Sequence, residues 1–110
     1  MSTSETSVEK TVRKQKRAAQ LRRRSDEHSA IGRIVGSKLR DLRRAAGLTQ
    51  EEAANKATLD FTSPSLLESG KRIPTITIFM RYVRALGGNP SDVLEWLEKA
   101  LYAEGLVRGW

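Results

Sequence analysis

The sequence predicts an all-α fold, a bundle of five helices, on three observations. Apolar residues recur at helical spacing: Ile31, Val35, Leu39, Leu42 and Ala46 step by four, four, three and four, one stripe of an amphipathic helix. Capping residues stand ahead of the later apolar runs, at Thr49, Thr75 and Asn89, while Gly47 ends the first run and Gly87 and Gly88 end the one that Thr75 opens. No segment makes a convincing strand.

Taken in order, the chain begins with a basic arm. Residues 1 to 33 hold nine Lys or Arg against four carboxylates, a surplus of +5 within a total of +7. With few large apolar side chains, residues 1–30 cannot bury enough surface to offset the entropy of ordering, which predicts disorder or a lone, conditionally formed helix. The run VEKTVRKQKRAAQLRRR has good helix formers, and Glu9 with Arg13 makes a favourable pair four apart. Either it is a solvated tail, or it is an electrostatic arm, with Arg22, Arg23 and Arg24 placed to lie along a polyanion.

The bundle proper is expected over residues 31–101, with 102–110 as a C-terminal tail. Its first helix runs from Ile31 to Gly47, and Arg43 and Arg44 near its end suit the helix dipole. Thr49 caps the second helix, and Glu52 completes a capping box with it. Ala53, Ala54 and Ala57 give that helix a small-residue face for close crossing. Thr75 caps a helix that turns Ile78 or Phe79, Tyr82, Val83 and Leu86 inward. Asn89 and Pro90 open the last one, whose apolar face is Val93, Leu94, Trp96, Leu97 and Leu101.

Composition bounds the function. The chain has 110 residues, 5% of them aromatic and 30% charged, which suits one small helical domain with an aliphatic core. A pI near 10.3 favours partners dense in negative charge. No run approaches the roughly 18 apolar residues of a spanning helix, and MSTSETSVEK lacks a secretory apolar segment. Those features predict a soluble, cytoplasmic protein with no membrane partner. Without cysteine there is no disulfide, thiol nucleophile or thiolate metal site. His28, the sole histidine, has no second His or Cys for metal ligation, and ESGKR has a Gly-Lys pair but lacks the upstream glycine and the following Ser or Thr of a phosphate loop. No enzyme, metal or cofactor is therefore expected.

Three segments at consistent spacing then carry a resemblance: LRDLRRAAGLTQEEAANKA, LLESGKRIPT and VRALGGNPSDVL. Over about residues 34 to 97 the chain resembles the Cro and phage-repressor (XRE) class of helix-turn-helix proteins. The resemblance implies a lambda-repressor-like five-helix bundle whose third helix enters the major groove of double-stranded DNA. It also implies that Gln50 touches a phosphate and braces the reading helix. By position, base contacts would come from Phe61, Thr62, Ser63, Ser65 and Leu66. Lys71 and Arg72 would sit near phosphates, and Leu59, Leu67, Phe79, Val83 and Leu86 would fill the core.

The stretch TLDFTSPSLLESGKR departs from that pattern. Thr58 stands where the family has a glycine, so the turn differs or a non-glycine residue accepts left-handed angles. Pro64 stands where an aliphatic core residue is usual, and an interior proline costs about 3 kcal/mol. Ser63 as cap with Pro64 first in a short helix, roughly 64 to 69, avoids the cost. Residues 58 to 70 contain no Arg, Lys, Asn or Gln, the strong bidentate base readers. Hydroxyls remain, with Phe61 and Leu66 able to pack on thymine methyls, so affinity would rest on Lys71, Arg72, Gln50 and the arm. Glu68, acidic within a basic surface, is expected to be structural, with no partner nameable.

The resulting expectation is a sequence-specific DNA-binding regulator, a repressor occupying its operator as a homodimer. Val93, Leu94 and Leu97 are expected to close the core; Trp96, Leu101, Tyr102, Leu106 and Trp110 exceed what one small core needs and suggest the dimer face, the alternative being a frayed tail packed back on its own domain. An antitoxin that masks a toxin partner, or a scaffold binding protein or RNA through the same fold, are the competing readings.

Overall fold

A computed structural model describes residues 4–110 as five helices, with no strand among the described residues. The first three residues of the expected arm lie outside the described residues. The helices are α1 (Ser7–Ala45), α2 (Gln50–Ala57), α3 (Ser63–Glu68), α4 (Ile76–Ala85) and α5 (Pro90–Ala103).

Where the sequence suggested an arm ending near residue 30, one helix of 39 residues runs through both regions. The docked segment, which buries Gly32, Val35, Gly36 and Leu39, supplies the helix nucleus; each residue added upstream then gains a backbone bond without a new nucleation step. At its far end Thr6 and Glu9 form a reciprocal capping box, Glu9 N–H donating to Thr6 Oγ1 at 3.1 Å. Arg13 pairs with Glu5 at 2.7 Å, not with Glu9, whose carboxylate is turned back to the cap. The long helix gives the molecule its extents of 64 × 28 × 23 Å.

The core lies among the C-terminal part of α1 and the four shorter helices. Leu39, Leu67, Tyr82, Val83 and Pro64 are fully buried at its centre. Phe79, Leu86, Val93 and Leu97 complete it, and Leu59 packs against it half-buried. Leu94 does not join them: it is 50% exposed, because the apolar arc of α5 is wider than the strip that meets α1 and α4.

The approach of α1 to α3 is set by two glycines one turn apart. A Cβ on Gly36 would lie 2.7 Å from the Glu68 carbonyl oxygen, and one on Gly32 would lie 2.8 Å from that of Gly70. Backbone therefore meets backbone at this crossing, which fixes the height of α3 above the core.

Thr49 caps α2 with the expected box: Glu52 N–H donates to Thr49 Oγ1 at 3.1 Å, and Thr49 N–H to Glu52 Oε1 at 3.0 Å. The backbone N–H of Thr49 and its hydroxyl hold the Glu52 carboxyl below its ordinary range. Thr75 and Asn89 cap α4 and α5 through their side chains.

Candidate nucleic-acid interface

The turn between α2 and α3 is built from local chemistry. Thr58, just past α2, adopts left-handed angles (φ 55°, ψ 47°). Its N–H donates to Asn55 O and that of Leu59 to Ala54 O, the same pair of bonds that closes α1 around Gly47. Threonine thus occupies a glycine's place, with its branched Cβ in a region that such residues rarely visit.

Asp60 then organises the lead into α3. Its Oδ1 accepts from both the N–H and the hydroxyl of Thr62, each at 3.2 Å, and its carbonyl accepts from Ser63 N–H at 2.9 Å. The cap of α3 is Thr62, not Ser63 as expected, and Pro64 is its second residue. Because Ser63 N–H is taken by the Asp60 turn, Ser63 is drawn into the helix. Proline is tolerated there, since first-turn amides have no partner inside a helix. The ring also fills the core position where the resemblance led one to expect an aliphatic residue.

The expected contact residues fall in different places. Phe61 is 71% exposed, Thr62 and Ser65 are exposed and Leu66 is half-buried. Ser63, at 8% exposure, is withdrawn from the surface on which the resemblance had placed it. Lys71 and Arg72 are exposed in the loop after α3, where Gly70 takes a positive φ of 79°. Arg22, Arg23 and Arg24 are exposed on α1, beyond the point where it leaves the bundle at the Gly32–Gly70 contact.

Gln50 sits at the first position of α2, and its amide Nε2 lies 3.4 Å from Glu68 Oε1. Glu68 is the hub of a buried network that ties α3 to three other helices. Arg43 grips it with two bonds, Nε to Oε2 at 2.8 Å and Nη2 to Oε1 at 2.9 Å, and places its third nitrogen on Leu48 O at 2.8 Å. Tyr82 donates its hydroxyl to Oε2 at 3.0 Å, and Arg40 stands 3.6 Å from Oε1.

Burial alone would push the Glu68 carboxyl up, but the hydrogen bonds from Arg43, Tyr82 and Gln50 outweigh it and hold the group below the usual carboxylate range. Burial and the Glu68 charge push the Tyr82 phenol up, so it remains a donor. The hydrogen bond to Glu68 raises Arg43 further, against its own partial burial. Neither Arg43 nor Tyr82 had been singled out as a partner. The sequence did carry one sign of the network, the carboxylate of Glu68 just ahead of Lys71 and Arg72, but Arg43 lies too far along the chain for spacing to pair them.

Two helices joined by a tight turn, with the second braced from below and its outer side unpaired, form a helix-turn-helix unit. Residues 34–97 match the family model described as a helix-turn-helix domain. This chain belongs to that family.

As a helix-turn-helix protein it is of the transcriptional-regulator class. An uncharacterised HTH-type transcriptional regulator of Sinorhizobium fredii, y4dJ, is 40% identical over 55 residues, which is 50% of this chain and 71% of that one. The crystal structure of the clp gene regulator ClgR from Corynebacterium glutamicum superposes with a TM-score of 0.60 at 24% identity, covering 68% of this chain and 80% of that one. That likeness is one of fold. No helix among the described residues is long and apolar enough to cross a membrane.

Proposed function

We propose that this helix-turn-helix protein binds double-stranded DNA sequence-specifically and represses transcription by occupying an operator as a homodimer. The observation that carries the reading is the disposition of charge around α3. The outward side of the α2–α3 unit holds no charged residue between Phe61 and Leu66, while Lys71 and Arg72 flank its end in a loop whose Gly70 packs on α1 at Gly32, about 12 Å along the helix from Arg24. A groove-reading surface bounded by phosphate-binding cations has this arrangement. Glu68, a carboxylate that would repel phosphate, is buried and neutralised by Arg43, while Asp60, exposed ahead of Phe61, has its Oδ1 engaged by Thr62.

The dimer rests on α5 and the residues after it. Leu94, Trp96, Tyr102 and Trp110 are exposed, and Leu94 and Tyr102 border an apolar groove of roughly 1100 Å³ that also takes in Ile31, Val35 and Leu101. A second copy is the occupant that a twofold-symmetric operator calls for, since one patch then serves both partners. Replacing Leu94 and Tyr102 with glutamate should leave the core intact and give a monomer by sedimentation; an unchanged dimer would move the interface elsewhere.

Selection of bound sequences from a random duplex pool tests the DNA reading. Enrichment of a short inverted repeat is the expected result. No enrichment, with a toxin or other protein co-purifying instead, would favour the antitoxin role and count against the repressor.

A further inference from the structure

The base-facing side of this protein is poorer in hydrogen-bonding groups than its sequence suggests. Ser63 is buried at 8% exposure. Thr62 has committed its hydroxyl proton to Asp60 Oδ1 and Ser69 its own to the Leu66 carbonyl, each at 3.2 Å. The Gln50 amide is drawn toward Glu68. Besides the exposed Asp60 carboxylate at the start of the turn, what remains outward is Phe61, 71% exposed, followed on α3 by the exposed Ser65 and the half-buried Leu66.

A large apolar side chain held against the major groove gains where the groove is itself apolar, and the apolar feature that groove offers is the 5-methyl group of thymine. Against guanine, cytosine or adenine edges the same ring would strip water from donors and acceptors and return no hydrogen bond. We propose that the operator is selected through thymine methyl groups, with Phe61 as the principal contact and Leu66 beside it. The inference rests on the DNA-binding reading above and deepens it: the ligand is a duplex with thymines at fixed positions of each half-site.

Replacing thymine by deoxyuridine deletes the methyl and keeps every hydrogen-bonding group, so it isolates this contact. The full chain is titrated against a duplex enriched from the random pool, and against copies with deoxyuridine at the half-site thymines or at thymines outside the half-sites. Each half-site methyl removed should weaken binding about fourfold, the effect of unburying one methyl-sized group. Outside replacements should have no effect. Phe61→Ala, at an exposed position that leaves the core intact, should bind thymine and deoxyuridine duplexes alike, and Phe61→Leu should keep part of the discrimination. Equal binding of both duplexes by the wild-type protein, or undiminished discrimination by Phe61→Ala, overturns the proposal while leaving DNA binding itself in place. Failure to bind any duplex at low salt overturns the DNA-binding reading and this inference with it.

Discussion

At the scale of single residues, two positions carry costs that the rest of the fold offsets. Glu68 is one. Its charge is buried, and four donors from α1, α2 and α4 surround it, so removing that charge strands the Arg43 guanidinium in a mostly buried site. Loss of one partner from such a pair costs about 3 kcal/mol or more, and Glu68→Gln should lower unfolding stability by that order in urea titrations at neutral pH. The pH dependence follows from the sign of the shift. The carboxyl is held lower in the folded chain than in the unfolded one, so its contribution is fully present above the ordinary carboxylate range and fades as pH falls through and below it. Wild type should therefore lose stability on acidification more steeply than Glu68→Gln, and parallel profiles would deny Glu68 this role. Thr58 is the other position. A branched side chain in left-handed backbone is strained by roughly 1–2 kcal/mol, and glycine relieves this at a smaller entropic cost. Thr58→Gly should thus raise stability by about 0.5–1 kcal/mol, seen as a melting temperature a few degrees higher.

At the scale of elements, what the sequence made legible was whatever is decided within one helical turn. Thr49 with Glu52, Thr75, and Asn89 with Pro90 are local signals, and α2, α4 and α5 start where they say. The start of α3 was missed by one residue because the deciding bond, Ser63 N–H to the Asp60 carbonyl, belongs to the turn and not to the helix. Leu94 was misplaced because periodicity gives the width of an apolar face but not which part of it meets the core. The Arg43–Glu68 pair was out of reach because nothing in one sequence links positions on separate elements. The same applies to the crossing of α1 over α3 at Gly32 and Gly36. There a methyl group would meet the carbonyl backbone of α3, which cannot rotate away as a side chain could. Gly36→Ala should accordingly cost about 3 kcal/mol, the upper part of the range for overpacking. Ser37→Ala, next to it on the exposed side of α1, should change stability by less than about 0.5 kcal/mol. Denaturant unfolding of the two variants checks the contrast, and equal losses would mean that the crossing tolerates a wider spacing.

At the scale of the whole molecule, the long first helix joins two regions that the sequence had suggested were separate. Its C-terminal part is core, and its N-terminal part carries Arg22, Arg23 and Arg24 into solvent. Because the helix is continuous, Arg24 stands about 12 Å along the axis from Gly32, at 1.5 Å per residue. Gly32 touches the loop that presents Lys71 and Arg72. The two sets of cations thus have a fixed relation, unlike those on a flexible tail, and on DNA they would meet phosphates at defined positions. Each phosphate neutralised releases counterions and steepens the salt dependence of binding by about 0.9 in the slope of log K against log salt. Replacing the three arginines with alanine should therefore weaken binding to selected and unrelated duplexes alike, and reduce the slope by as much as about 0.9 for each arginine that reaches a phosphate. The bundle should remain folded, since none of the three touches the core. Sequence preference should also be unchanged, because phosphate contacts carry no base information. Titrations at several salt concentrations read all three effects, and an unchanged slope would mean that α1 leaves the duplex untouched and that Lys71 and Arg72 hold it alone.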